Sequence, residues 1–409
     1  AHTALKNGAN TLTITELNDV SDAQPELAAL TVNPSLALSV LNSMPNLVSS
    51  PYKDLISSLN RYVPLAVVNA FYQFYPQLKE AVKKLPKRTG VTAPWNENDP
   101  LRLTMLDQTP WLQTALGQPQ HTANIVSLFD DEMVAKRLAK ELENIKKFQN
   151  ANGSFSWFVG GPDDTYLTLR ALESFSQAVQ FGAEFPTASV QKAITYIVPK
   201  IEKQLKEDKT GSAGTVSYAL YAAYTLSAFP ANWPQMSSTK PYIKKWVDYA
   251  DQQSRFMTPL GRTYAATIYH RLGDDIKANA YLDKVLALMK YNPLTGAYFA
   301  PEAQSWVWYQ DTITTQTTTL KTLLEIRPNS DKVDPMVQWL LFNRQVTSWK
   351  NPAAAAKAVF ALLDVMKAKG ALSSPTTYQI KWAGTQDKCT FEPFDWTEDL
   401  QWIQQGTQL

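Results

Sequence analysis

The sequence predicts an all-α protein made of repeated units of a loop followed by a helix. Residues 152–175, NGSFSWFVGGPDDTYLTLRALESF, couple a loop rich in glycine and aromatic residues to a helix with apolar residues at three-residue steps. Within the loop, Phe155 and Trp157 alternate with serines, which predicts a short extended segment. The same order returns at residues 305–326 and 348–365, and weaker copies begin at Thr210 and Thr258. These helices are rich in Ala, Thr and Ser, which lets neighbouring helices approach closely. Recurrence of this kind indicates a helical repeat.

Periodic apolar residues predict helices over most of the chain between about Pro34 and Lys369. With helices of ordinary length, roughly twelve fit. Pro64 predicts a break within one of them. Residues 88–124 hold several prolines and form the longest irregular insertion, which is either a passive surface loop or a lid. The predicted helices outside the repeats span residues 40–48, 54–75, 130–148, 186–205, 217–229, 242–253, 264–272, 276–289 and 335–343.

Strand patterns occur near both ends of the chain. Residues 10–17 alternate Leu12 and Ile14 with threonines, and residues 377–381 and 388–391 are also β-like. Strands this short need partners for their backbone donors and acceptors. We therefore expect the two ends to supply strands to one small sheet beside the helices.

The composition is that of a globular protein. Hydrophobic residues make up 44% of the chain and charged residues 19%, without the charge excess of a disordered protein. The net charge of +2 offers no field that would recruit nucleic acid. A single cysteine, Cys389, excludes an internal disulfide and a multi-cysteine zinc site, and the histidines form no HExxH, so no metal is expected. No apolar run reaches about 18 residues, so no membrane-spanning segment is expected.

Sequence motifs of nucleotide-binding proteins and serine hydrolases are absent. The chain contains no GxxxxGK[ST], no GxGxxG and no GxSxG. We therefore expect no cofactor and no esterase chemistry.

Aromatic and acidic residues recur where loops meet helix starts. If the helices close into a ring, these junctions would gather at one mouth, where paired carboxylates among aromatic side chains could act on a glycan. The simpler interpretation makes the acidic residues helix caps and the tryptophans packing side chains. The residues of this candidate ligand cleft are Trp157, Asp163, Asp164, Trp308 and Asp311, with Trp306 and Trp349 in similar positions.

Three stretches together resemble the complement-like thioester domain of bacterial alpha-2-macroglobulins. Residues 153–173 resemble the GGFSWF-GG segment of that family, which leads into a helix. Residues 305–326 resemble its WWWY...TQA helix, and residues 44–62 resemble the proline-tyrosine turn that carries the thioester. The resemblance implies an α/α toroid of about twelve helices.

The same resemblance implies a division of the chain into three segments. Residues 34–370 would form the toroid. Residues 1–33 and 371–409 would supply short strands to an adjoining β domain that is split between the two ends.

The third stretch departs from the family pattern. The thioester motif reads Gly-Cys-x-Glu-Gln directly after Pro-Tyr, and aligning Pro51 and Tyr52 with that turn places Asp54 on the Cys and Ser57 on the Gln. The bond needs a thiol and a carboxamide three residues apart. Cys389 lies outside the turn and cannot substitute. The alignment therefore predicts a degenerate thioester site.

The resemblance further implies a non-catalytic module of a larger bacterial protein in the periplasm or cell envelope. Such a module would trap or inhibit proteases non-covalently, and its other partners would be neighbouring β domains of the same chain. The alternative is an α/α-toroid carbohydrate-active enzyme, either a glycoside hydrolase or a polysaccharide lyase. Residues 149–157, QNANGSFSW, also resemble the repeats of triterpene cyclases, but the DxDD motif of those enzymes is missing. A helical-repeat binding protein of another kind remains a third interpretation.

Overall fold

The computed structural model describes most of the helical region and parts of both ends. The described residues are 27–32, 40, 43–48, 52–84, 126, 130–293, 295–299, 312–344, 349, 352–370, 375–382, 385–394 and 400–405. The helices are α1 (Met44–Val48), α2 (Leu55–Phe74), α3 (Gln77–Lys84), α4 (Asp131–Lys147), α5 (Thr165–Gln180), α6 (Thr187–Glu207), α7 (Ala213–Ser227), α8 (Pro234–Gln252), α9 (Pro259–Leu272), α10 (Asp275–Leu286), α11 (Thr312–Ile326), α12 (Val333–Phe342) and α13 (Pro352–Ala368). The strands are β1 (Leu27–Val32), β2 (Lys290–Asn292), β3 (Gly296–Tyr298), β4 (Thr376–Trp382), β5 (Thr385–Phe391) and β6 (Leu400–Gln405).

Six helices of the described part close an inner ring. Their order around the ring is α2, α5, α7, α9, α11 and α13, and each contacts the next, with α13 returning to α2. The other helices pack outside: α6, α8, α10 and α12 each contact two successive inner helices, and α1 contacts both α13 and α2. The predicted α/α toroid is thereby confirmed, and so is the inner position of the helices that begin near Thr165, Thr312 and Pro352.

The neighbouring inner helices α9 and α11 run parallel. Thr263 of α9 and Thr319 of α11 share a hydrogen bond of 3.1 Å between their hydroxyls. Thr267 of α9 and Thr322 of α11 share a second one of 2.7 Å. Because both residue numbers increase together from one pair to the next, α9 and α11 point the same way. An outer helix returns the chain between successive inner helices, so the starts of the inner helices from α5 to α13 lie at one face. We call this the N-terminal face of the ring.

The inner helices pack through small and apolar side chains. Ala219, Ala222, Ala265 and Ala266 are fully or almost fully buried, and the hydroxyls of buried threonines bond to carbonyls one turn back, as Thr317 does to Ile313. Small residues permit the close approach that a narrow ring requires. This packing agrees with the prediction that the small residues of the repeat helices let neighbouring helices approach closely.

Pro64 does not break its helix, which corrects the sequence-based expectation. Helix α2 continues through Pro64, and its neighbours Val63, Leu65, Ala66 and Val67 are all buried. An interior proline costs a helix about 3 kcal/mol. Burying one large apolar side chain contributes about 1.5–3 kcal/mol, so tertiary packing outweighs the local preference.

The two ends of the chain pair with each other through strands. Strand β1 is antiparallel to β6, with Leu27 opposite Gln405, and β4 is antiparallel to β5, with Tyr378 opposite Cys389. The Trp402 indole on β6 donates to Asp387 of β5 at 2.5 Å. The strands predicted at residues 377–381 and 388–391 fall within β4 and β5.

Two predicted segments lie outside the described residues, and one hairpin was not predicted. The strand predicted at residues 10–17 and the insertion at residues 88–124 lie outside the described residues. A short hairpin of β2 and β3 interrupts the region that the periodicity assigned to helices. Gly296 at its turn has φ +91°, and a Cβ there would lie 2.2 Å from the Pro335 carbonyl oxygen, so the hairpin sits tightly against α12.

Candidate functional site at the starts and in the lumen of the inner helices

Asp54 caps the first inner helix. Its Oδ1 accepts the backbone N–H of Ser57 at 2.9 Å, and its Oδ2 accepts the Ser57 hydroxyl at 2.7 Å. The first amides of a helix have no intrahelical partner, and an aspartate at this position satisfies one of them. The two residues aligned with the thioester pair therefore contact each other, as an N-cap and the third residue of α2.

An ion pair fixes the turn before α2. Arg61 donates to the Tyr52 carbonyl at 2.9 Å and to Ser58 Oγ at 3.1 Å, and its Nε lies 3.0 Å from Glu141 of α4. The side chains of Arg61 and Glu141 are only 11% and 14% exposed. This arrangement joins the turn at Tyr52 to the outer layer.

The loop at residues 149–164 is tightly built. Gly153 has φ +93°, and a Cβ there would lie 2.2 Å from the Lys192 carbonyl oxygen. Phe155 is fully buried, and its amide donates to Thr168 Oγ1 at 2.9 Å. Phe155 also forms antiparallel bridges with Gln149 and with Asp164, so the predicted short extended segment is present.

Asp163 holds this loop together. Its carboxylate accepts the Ser154 hydroxyl at 2.6 Å, the Asn152 amide at 2.7 Å and the Asn150 amide at 3.0 Å. The hydrogen bond from Ser154, followed by that from Asn152, lowers the pKa of Asp163. At neutral pH Asp163 is an ionised acceptor that is occupied within the loop, an arrangement that does not fit a general acid.

Asp164 and Trp157 belong to the same loop and have different environments. Asp164 caps α5 by accepting the Leu167 amide at 2.9 Å. Trp157 is 43% exposed, and the following Phe158 and Val159 are each 62% exposed. The capping interpretation of Asp164 thus agrees with the structure, whereas Trp157 points largely to solvent.

The other residues considered for the candidate cleft do not join Asp163, Asp164 and Trp157 in the described part of the chain. Trp308 and Asp311, like Trp306, lie outside the described residues. Trp349 is 1% exposed and donates its indole N–H to the Leu340 carbonyl at 2.8 Å, as a packing side chain would. The described residues therefore bring together Asp163, Asp164 and Trp157 only.

Sequence reasoning missed a cluster of charged residues inside the ring. Glu173 of α5 is 3% exposed and accepts a hydrogen bond of 2.6 Å from Tyr221 of α7. Arg170, one turn earlier on α5, contacts the same carboxylate, and Lys357 of α13 lies 3.7 Å from it. The one available signal was a pair of opposite charges three residues apart among the apolar residues of that helix.

Two lysines reach across the lumen to α5. Since α2 separates α13 from α5 in the ring, the Lys357–Glu173 pair must pass on the inner side of α2. Lys321 of α11 donates to Gln180 of α5 at 3.0 Å and also lies 3.3 Å from Asp364 of α13. The lumen at these levels is spanned by ionic and polar contacts.

The two lumen carboxylates titrate in opposite directions. Burial alone would raise the pKa of Glu173, but Lys357, Arg170 and the Tyr221 hydroxyl outweigh it and lower that pKa to about 2. Burial raises the pKa of Asp364, and Lys321 opposes it only in part. Glu173 is consequently a fixed carboxylate at neutral pH, which suits a structural hub and does not suit a proton donor.

The described residues contain neither a cluster of metal-binding side chains nor a helix that could span a membrane. Among them, no three His, Cys, Asp or Glu side chains come together in a group that could hold a metal ion. None of the described helices is both long and apolar enough to cross a membrane.

Comparison with known proteins identifies the fold. No protein-family model matches the sequence, and no curated protein matches it. The crystal structure of native alpha-2-macroglobulin from Escherichia coli, from domain MG7 to the C-terminus, is similar with a TM-score of 0.51 and 14% identity over 94% of this chain and 48% of that chain. The cryo-EM structure of the native E. coli protein gives a TM-score of 0.51 and 14% identity over 96% of this chain and 20% of that one.

A third structure, Salmonella alpha-2-macroglobulin reacted with methylamine, is similar with a TM-score of 0.51 and 15% identity over 96% of this chain and 21% of that one. This chain thus spans about half of the E. coli chain that runs from MG7 to the C-terminus, and about a fifth of the other two chains. Its fold is that of the C-terminal region of bacterial alpha-2-macroglobulins.

Proposed function

We propose that this chain is a non-catalytic, macroglobulin-like module that lacks a thioester and belongs to a larger bacterial envelope protein. That protein would trap or inhibit proteases without forming a covalent bond to them. The shared fold and the small share of each related chain that is covered support a module of something larger.

We infer the absence of a thioester from the residues at the two aligned positions. A thioester needs a thiol that is acylated by a nearby carboxamide, and the aligned positions hold Asp54 and Ser57. Their side chains bond to each other and to the start of α2. A carboxylate and a hydroxyl in this arrangement provide a helix cap, and they supply neither the thiol nor the carboxamide from which a thioester forms.

Intact-mass measurement with methylamine tests this directly. Methylamine opens an internal thioester, so a protein that has one gains the mass of one methylamine. We expect no gain for this chain, with the Salmonella protein of the methylamine-treated structure as the reference under the same conditions. A gain, or an untreated mass short by the elements of ammonia, would show that the alignment of residues 51–62 is wrong.

Protease engagement needs a separate test on the full-length protein. After incubation with a protease, a non-covalent trap should co-elute with it in native size-exclusion chromatography and release it intact in denaturing electrophoresis. A band that survives denaturation would contradict the proposal, and so would the absence of co-elution over a panel of serine and metalloproteases.

We also propose that residues 34–370 form the toroid and that residues 1–33 and 371–409 belong to a β domain split between the two ends. The pairing of β1 with β6 and the hydrogen bond from Trp402 to Asp387 support this division. Two-stranded sheets are marginal on their own, so these strands need further partners. Fractionation of the source cells should place the protein in the periplasm or envelope.

A further inference from the structure

The ring has a seam between its last and first helices. Helix α13 contacts α2 more sparsely than it contacts α11. Helix α1 packs on both helices from the outside, and more on α2 than on α13. Within the ring itself, the direct contact between α13 and α2 is therefore the weaker of the two contacts that α13 makes with its ring neighbours.

Polar contacts bridge this seam from the inside. Lys357 of α13 lies 3.7 Å from Glu173, and Lys321 of α11 lies 3.0 Å from Gln180. Both acceptors belong to α5, on the far side of α2. An ion pair in a nearly closed lumen is screened less than one at the surface, so it contributes more to holding helices together.

We propose that these two lysine contacts form a latch that keeps the toroid closed, and that the ring opens locally by separation of α11 and α13 from α2 and α5. Helices α11 and α13 pack extensively on each other and are joined by the Lys321–Asp364 pair, so they move as one unit. The opening also parts Phe360 from Phe181, whose ring centroids are 5.8 Å apart. Local opening of such a unit, at less cost than global unfolding, is what native-state hydrogen exchange measures.

Lys357→Met and Gln180→Ala each remove one arm of the latch and leave no buried charge without a partner. Glu173 retains Arg170 and Tyr221 in the first variant, and Lys321 retains Asp364 in the second. In the double variant we expect backbone amides of α2 and α13 to exchange about tenfold faster, because a helix that loses packing across the seam frays more easily and opens its intrahelical hydrogen bonds, while those of α9 keep their rates. Circular dichroism confirms that each variant is folded before exchange begins.

Thr322→Val is the matched control. Thr322 and Thr267 share a hydrogen bond of 2.7 Å between their hydroxyls, which joins α9 to α11 without crossing the seam, and a valine of similar shape leaves no buried charge without a partner. Its loss should leave exchange in α13 within about twofold of the unaltered protein. The latch is refuted by equal acceleration of α13 in this control, by uniform acceleration around the ring in the double variant, or by unchanged exchange in α2 and α13. If Lys357→Met does not fold, Gln180→Ala alone gives the same readout with a smaller amplitude.

Discussion

The Tyr221 hydroxyl donates a 2.6 Å hydrogen bond to the carboxylate of Glu173, and this bond joins α7 to α5 inside the ring. Arg170 and Lys357 contact the same carboxylate, so one side chain connects three inner helices. Burial raises the pKa of Tyr221 well above its usual value, so its hydroxyl stays protonated and remains a donor. Glu173 is the hub of the lumen.

Glu173→Gln should lower the free energy of unfolding by about 3–5 kcal/mol, because it leaves the buried charge of Arg170 without its partner. Chemical denaturation at neutral pH measures this loss. Glu80→Gln is a suitable control, because Lys83 and Glu80 form a pair on α3 whose side chains are 70% and 69% exposed. A loss below about 1 kcal/mol for Glu173→Gln, the range of a surface pair, would remove Glu173 as a hub.

The pH dependence of the free energy of unfolding should also show the contribution of Glu173. The pKa of Glu173 is lowered from 4.5 to about 2 on folding. A depressed pKa contributes stability that is complete above the unfolded value and is lost as the pH falls toward the folded value. We expect about 3 kcal/mol of stability to disappear between about pH 4.5 and pH 2. Denaturation at several acidic pH values should show a shallower decline in Glu173→Gln, and parallel declines in the two proteins would contradict the assignment.

Asp364 should behave in the opposite way. Burial raises its pKa, so its contribution to stability is complete below the unfolded pKa and is lost as the pH rises through the folded one. At neutral pH, Asp364→Asn removes a carboxylate whose ionisation burial disfavours, and Lys321 keeps Gln180 as an acceptor at 3.0 Å, so the variant should lose less than the about 3–5 kcal/mol expected for Glu173→Gln. The same chemical denaturation measures this loss. If this variant is as unstable as Glu173→Gln, the Lys321–Asp364 pair is worth more than the raised pKa indicates.

Asp54→Ala should destabilise the protein by about 1 kcal/mol, because the Ser57 amide loses its acceptor. Asp54→Asn should retain nearly all the stability, since asparagine caps helices as well as aspartate does. Thermal unfolding of the two variants side by side distinguishes a cap from a residue whose charge is needed. Equal losses in the two variants would mean that the cap is not the role of Asp54.

Two glycines of the loop at residues 149–164 should respond differently to alanine. Gly153→Ala places a Cβ 2.2 Å from the Lys192 carbonyl oxygen and should cost at least about 2 kcal/mol. Gly160 also has a positive φ, +75°, but a Cβ there meets nothing within 4 Å, so its replacement should cost about 1 kcal/mol. Denaturation midpoints of the two variants test this, and similar losses would contradict the close contact with α6.

The sequence by itself determined the features that depend on a few consecutive residues. The cap at Asp164, the extended segment around Phe155 and the small-residue helix from Thr165 follow from local hydrogen bonding and periodicity, which act over three or four residues. The absence of an internal disulfide follows from the single cysteine. The toroid itself was anticipated from the resemblance to the macroglobulin family and not from periodicity.

Only the tertiary structure decided that helix α2 continues through Pro64 and which charged residues contact each other. Pro64 stays within α2 because buried neighbours outweigh its local cost, and a sequence pattern carries no measure of that burial. The sequence shows only one opposite charge near Glu173, that of Arg170 three residues earlier, whereas its other contacts come from α7 and α13, which are distant along the chain. Such contacts arise when the ring closes and have no periodic signature. The physical reason is that capping energy is local, whereas the pKa of a buried carboxylate depends on every charge that the fold brings beside it.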